Sequence, residues 1–216
     1  MMDNRFQKSA ESFVVNLTGA GAGEAREFLS EIRLNQEFHN GMKEKRSAGG
    51  KGRTSDYSVG AELGAVLYAV CRARGPGVVV ETGVASGVSS SYILCALEKN
   101  KNGQLYSIDI PWWNEAQTGW LVPDYLRERW HLIVGRSSEK LTPLLKGVPK
   151  IDIFLHDSGH TFQNMSWEFQ TAWSFLAGGG LLLAHNIDDN TAFRDFCRAH
   201  GTRGHSVDNL GGLVKT

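Results

Sequence analysis

A chain of 216 residues, 41% hydrophobic and 21% charged, has the make-up of one ordinary globular domain that can build a core without disulfide staples. Lys+Arg and Asp+Glu both number 23, so the formal net charge is +0, which argues against a nucleic-acid backbone as partner and leaves room only for a local basic groove. The longest apolar runs, such as Gly180-Leu181-Leu182-Leu183-Ala184, are too short to span a bilayer, and the opening MMDNRFQKSAESF has no signal-peptide core. Cys71, Cys95 and Cys197 are odd in number, form no CxxC pair and fall in helical patterns, so buried reduced thiols in a cytoplasmic protein are expected.

Residues 23–38 read as a helix with Phe28, Leu29 and Ile32 on one side. The stretch 41–55, GMKEKRSAGGKGRTS, is nearly devoid of apolar residues and predicts a mobile loop, either a plain linker or a lid that orders over a substrate. Val59, Leu63, Val66, Leu67 and Val70 recur at helical spacing up to Gly75-Pro76-Gly77, where the residue before proline leaves helical geometry. From there strands and helices alternate. Strands are predicted over 78–82, 104–109, 131–135, 151–156 and 180–185. Helices are predicted over 89–99, part of 115–129, 138–145, 161–176 and 191–200. Continuous apolar strands separated by helices imply an α/β fold, a doubly wound, mostly parallel sheet with helices on both faces. The tail 202–215 reads as a closing hairpin around Asp208-Asn209 that adds an antiparallel strand. The chain then divides into a helical segment with its loop, 1–57, and an α/β domain, 58–216.

In open α/β sheets ligands bind at the carboxyl ends of the strands, so residues just after each strand matter most. After the first come Glu81-Thr82-Gly83-Val84-Ala85-Ser86-Gly87-Val88-Ser89, a glycine turn opening a helix whose free N–H groups attract an anion. The second ends in Asp109, placed to accept both hydroxyls of a ribose or simply to cap the strand. Together they suggest an adenosine-containing ligand, but the glycine spacing is G-x-x-x-G and not the G-x-G-x-x-G of dinucleotide sites. The fourth ends in His156-Asp157-Ser158-Gly159-His160, offering a carboxylate anchor and an imidazole base, unless His160 caps the next helix. The fifth ends in His185-Asn186-Ile187-Asp188-Asp189-Asn190. With Asp157 this could hold a divalent metal, or serve as a polar turn with Asp189 or Asn190 as helix cap. Trp112, Trp113 and Trp120 follow Asp109 and either wall a substrate pocket or cover a sheet edge or dimer contact.

Val79-Val80-Glu81-Thr82-Gly83 with Gly87 resembles the first motif of class I S-adenosylmethionine-dependent methyltransferases, and Leu105-Tyr106-Ser107-Ile108-Asp109 resembles their second. Phe154–His160 is similar to the D-x-x-H stretch of small O-methyltransferases of the macrocin and cephalosporin-biosynthesis type. Leu183-Ala184-His185-Asn186 is similar to the A-D-N element of catechol-type, metal-dependent enzymes. The resemblance covers the chain from about Val59 onward and implies a Rossmann-like domain. It implies that Glu81, Gly83 and Gly87 lie at the methionine part of S-adenosylmethionine, with Ser89 among the cofactor-binding residues, that Asp109 holds the ribose, and that Gly135-Arg136-Ser137 lines the adenine. Asp157 would meet the methionine amino group and, with His185 and Asn186, hold a metal; His160 would be the base. His185 stands where the catechol-type pattern has Asp, which disfavours magnesium.

The expectation is therefore transfer of a methyl group to a hydroxyl of a small-molecule acceptor, with a homodimer as the base-rate assembly. Two alternatives remain at this point: an NAD(P)-dependent oxidoreductase, and a non-catalytic module that keeps the cofactor pocket.

Overall fold

The computed structural model describes residues 4–48, 59–110 and 118–216. Helices α1 (Asn4–Thr18), α2 (Ala22–Leu34), α3 (Gln36–Ala48) and α4 (Ala61–Arg74) precede the first strand. Strands β1 (Val78–Thr82), β2 (Gln104–Asp109), β3 (Trp130–Val134), β4 (Ile151–His156) and β5 (Leu176–Ala184) follow. They alternate with α5 (Val88–Asn100), α6 (Ser137–Gly147), α7 (Phe162–Phe175) and α8 (Ala192–Ala199), and the hairpin β6 (His205–Val207) and β7 (Leu210–Val214) closes the chain. The seven strands form one sheet in the order β3-β2-β1-β4-β5-β7-β6. β1 to β5 are parallel, and β7 is antiparallel to both β5 and β6. This is the predicted doubly wound α/β sheet with an antiparallel C-terminal strand.

Side chains alternate across the sheet, and each face has its own core. Val79, Leu105, Ile153, Leu155, Leu181 and Leu183 pack with α1 to α5 on one face. Val80, Ile108, Phe154 and Leu182 pack with α6, α7 and α8 on the other. Helix α1 lies close over the closing hairpin: a Cβ at Gly212 would stand 2.6 Å from Leu17 and 3.0 Å from Phe13, so only glycine lets the helix settle there. The three cysteines are free thiols and buried, as expected. Among the described residues no helix is long and apolar enough to cross a membrane.

Several boundaries differ from the sequence reading. The helix expected over 23–38 breaks at Asn35, whose Oδ1 accepts the N–H of Phe38 at 3.0 Å and starts a new helix. That helix, α3, takes in Gly41–Ala48, which the sequence reading assigned to a mobile loop; residues 49–55 lie outside the described residues. Two apolar side chains one turn apart suffice. Phe38 and Met42 are buried, Phe38 meeting Tyr92 edge-on at 4.7 Å, while the charged residues occupy the solvated face. Of the helix expected within 115–129, the described residues show a 3-10 helix at Asp124–Arg129. Strand β5 starts at Leu176 and not at Gly180.

Candidate functional site

The turn after β1 is held by close backbone approach. Gly83 has φ +85°, and a Cβ there would lie 2.0 Å from the carbonyl oxygen of Asp157, so the turn and the end of β4 touch only because the residue is glycine. Gly87 packs against Gly119 and Val122, and Gly119 and Leu121 donate N–H bonds to the carbonyls of Ala85 and Ser86, both 2.9 Å. The Ser86 hydroxyl is buried and has no hydrogen-bond partner among the described residues. Glu81, fully buried, accepts hydroxyl bonds from Ser89 and Ser90 at the start of α5 and from Ser107 of β2. Burial pushes its carboxyl up to about 7 against those three donors.

Asp109 joins the ends of β1 and β2. Its Oδ2 accepts the N–H groups of Val84 at 3.0 Å and Ala85 at 2.8 Å, and its Oδ1 that of Ile110 at 2.7 Å. Burial raises its pKa, and the three backbone bonds oppose the rise. The Asp109 carbonyl accepts from Gly135, which brings in the start of α6; there Arg136 is exposed at the cap position and Ser137 is the first helical residue, half-buried. Sheet register thus gathers Glu81, Gly83, Gly87, Ser89, Asp109, Arg136 and Ser137 at neighbouring strand ends.

The ends of β4 and β5 carry a second group. Asp157 Oδ1 is 2.8 Å from His185 Nδ1 and 3.6 Å from His160 Nε2, and the ligand atoms of the three residues all lie within 4.8 Å of one another. Burial raises the Asp157 pKa, but the two imidazoles close to its carboxylate, with the His185 hydrogen bond, outweigh it and the net shift is down. Burial lowers His185, and Asp157 outweighs that, so its pKa is raised. His160 Nε2 is buried without a hydrogen-bond partner among the described residues. Thr161, not His160, caps α7, accepting the N–H of Asn164 at 3.2 Å. Asn186, with φ +54°, donates its Nδ2 to Asp189 Oδ2 at 3.2 Å. Asn190 Oδ1 accepts the N–H of Ala192, and its Nδ2 donates to the His160 carbonyl at 3.0 Å.

Behind this group is a buried pair that the sequence reading missed. Glu168 of α7 and His156, the last residue of β4, are both fully buried, with His156 Nδ1 2.6 Å from Glu168 Oε2. Glu168 also accepts the hydroxyls of Thr82 at 2.5 Å and Ser158 at 2.7 Å and the amide of Asn164 at 3.3 Å. Burial raises this carboxyl too, but the bond and charge of His156 bring it below its usual value. The His156 ring meets that of His160 edge-on at 5.6 Å. Trp112 and Trp113 lie outside the described residues, and Trp120 is half-buried against the core.

A family model described as a methyltransferase domain matches residues 80–187, half of the chain and every strand end described above from β1 to β5. The chain belongs to this methyltransferase family. That answers the choice between methyl and hydride transfer. The fold of this methyltransferase is shared with an O-methyltransferase from Bacillus cereus solved in complex with SAH (TM-score 0.67, 14% identity, 88% of this chain and 96% of that one). It is also shared with the O-methyltransferase TomG from Streptomyces achromogenes, involved in tomaymycin synthesis and solved with SAM (0.60, 18%, 84% and 91%). A methyltransferase from Geobacter sulfurreducens is similar as well (0.59, 21%, 83% and 88%). No curated protein matches the sequence.

Two orphaned polar atoms bear on what this methyltransferase could hold. The Ser86 hydroxyl, in the glycine turn, and His160 Nε2, in the Asp157 group, are each buried without a partner. Such atoms cost free energy unless a ligand completes them, which fits a polar cofactor at the turn and an ion or acceptor hydroxyl at the histidines. One carboxylate with two imidazoles suits a borderline first-row divalent ion better than magnesium, which wants oxygens.

Proposed function

We propose that this methyltransferase transfers the methyl group of S-adenosylmethionine to a hydroxyl of a small molecule, with His160 as proton acceptor. One observation carries the reading: an adenosine-suited turn, Gly83 to Gly87 with Asp109, abuts the Asp157–His160–His185 group through the Gly83–Asp157 contact. The O-methyltransferases with the same fold, solved with SAH or SAM, support the choice of cofactor and of oxygen.

Each residue then has a task. Asp109 uses both lone pairs of Oδ2 on Val84 and Ala85 and one of Oδ1 on Ile110, and its remaining Oδ1 lone pair accepts a ribose hydroxyl. Gly135, Arg136 and Ser137 line the adenine. Gly83, Gly87 and Ser89 border the methionine part, with Glu81 acting from behind Ser89, and Asp157 takes the amino group. The cofactor supplies a methyl already activated by the sulfonium charge. The protein holds the acceptor oxygen in line with it, and His160 removes the hydroxyl proton. A divalent ion would be held by Asp157 and His185, with Asn186 offering its Oδ1 while its Nδ2 stays on Asp189; the ion would supply Lewis-acid polarisation of the acceptor oxygen.

Calorimetry with S-adenosylhomocysteine, with and without a divalent ion, tests the reading. Binding should be seen, and Asp109→Ala should weaken it at least about tenfold, the size expected when a buried hydrogen-bonded carboxylate is removed. No binding by the parent chain overturns the cofactor assignment, and unchanged binding by the variant overturns the ribose role.

A further inference from the structure

A groove of about 400 Å³ lies between α1 and the edge strand β6, lined by Lys8, Ser9, Ser12, Phe13, Asn16 and 203–206. None of these residues belongs to the site described above. Its lining is mostly small or polar, with Ser9, Ser12 and Asn16 from the helix and Gly204, His205 and Ser206 from the strand side, and buried Phe13 is the one large apolar side chain among them. Its volume falls in the range of roughly 300–1,000 Å³ typical of small-molecule pockets.

The chemistry of the lining is one-sided. Lys8 and Arg203 are exposed cations, and neither forms an ion pair among the described residues. Ser9, Ser12, Ser206, Asn16 and His205 add hydroxyl, amide and imidazole donors, and no acid lines the groove. The one acid of α1, Glu11, is engaged elsewhere, with Arg26 and Gln7, both at 3.3 Å. In a chain of zero formal net charge, this is a local field of one sign.

We propose that this groove is a second binding site, for a small soluble phosphate ester. Arg203 and Lys8 hold the phosphate oxygens, Arg203 as a planar fork and Lys8 as a point charge, and the serine hydroxyls and Asn16 take the organic part. The site is independent of the cofactor reading.

Amide NMR spectra of the full chain, recorded during titration with glycerol 3-phosphate and with inorganic phosphate at constant ionic strength, test it. Saturable shifts at residues 203–206 and 8–16, absent with chloride, are expected. Arg203→Glu should weaken the response at least tenfold, and the Lys8→Glu, Arg203→Glu double variant should abolish it, as should Ser12→Leu, which fills the groove. The double variant should keep the parent's amide chemical shifts away from the groove, which shows that it is folded. Shifts that do not saturate, or that persist in the double variant, overturn the proposal. So does retention on phosphatidylcholine vesicles containing phosphatidic acid without a saturable response to the soluble ester.

Discussion

Asp157 serves two purposes with one carboxylate. Its backbone closes against Gly83, and its Oδ1 lies near both imidazoles, so the residue that fixes the turn also ties the histidine group to it. Replacing His160 with Ala should lower turnover by about 10²–10⁴-fold, the usual worth of a positioned base, while leaving binding of S-adenosylhomocysteine near the parental value. Unchanged turnover would remove His160 from the proton path. Glu81 makes a different prediction. Its folded pKa is raised to about 7 from 4.5, so the folded state holds the proton more tightly than the unfolded one. The stabilisation is fully present below the unfolded value and is lost as pH rises through the folded one. Relative to Glu81→Gln, the parent should therefore lose up to ~3 kcal/mol between about pH 4.5 and 7 in urea unfolding, and a flat difference would count against the shift. Asp157 and Asp109 were legible because each ends a strand or directly follows one, and His160 because it lies in the same polar loop after β4. Glu168 was not, since it sits mid-helix in α7 with no local signal that Thr82, His156 and Ser158 converge on it.

At the level of elements, strand ends are set by contacts between loops. Gly83→Ala would force a left-handed backbone on a side chain and drive its Cβ to 2.0 Å from a carbonyl oxygen. A loss of about 2–4 kcal/mol is expected in thermal or urea unfolding, together with weaker cofactor binding as Asp157 is pushed away. Glu168→Ala should cost about 3–5 kcal/mol, because it strands the fully buried His156 and Thr82 hydroxyl without their partner. A stability near the parent's would mean that water enters and satisfies them. The core strands β1, β2 and β4 matched the sequence reading residue for residue, since continuous apolar runs between turn residues leave little choice. Helix α3 did not. Its apolar stripe is only Phe38 and Met42, too few to outweigh a lysine- and glycine-rich composition without sight of Tyr92 and the rest of the packing surface.

Across the whole molecule, the helices ahead of β1 share a core with one entire face of the sheet. Helix α1 has the spacing Ala10, Phe13, Val14, Leu17, a readable stripe that the sequence reading did not single out, and it reaches the far edge of the sheet at β6 and β7. Phe13, 1% exposed, should therefore behave as a central core residue: Phe13→Ala is expected to cost about 3–5 kcal/mol in urea unfolding. A cost below about 1 kcal/mol would show that α1 is a peripheral addition. The order of the strands was legible only as a class, because the position of the closing hairpin beside β5 depends on pairing that no local pattern encodes.

The chain leaves the sheet after Asp109 and returns at Gly119–Val122, and both points are fastened to the same few residues: Val84 and Ala85 by the Asp109 carboxylate, Ala85 and Ser86 by the N–H groups of Gly119 and Leu121. The stretch 84–86 is thus a plate riveted from two sides, so that a change at Asp109 and a change at Gly119 or Leu121 should be felt at the same three residues.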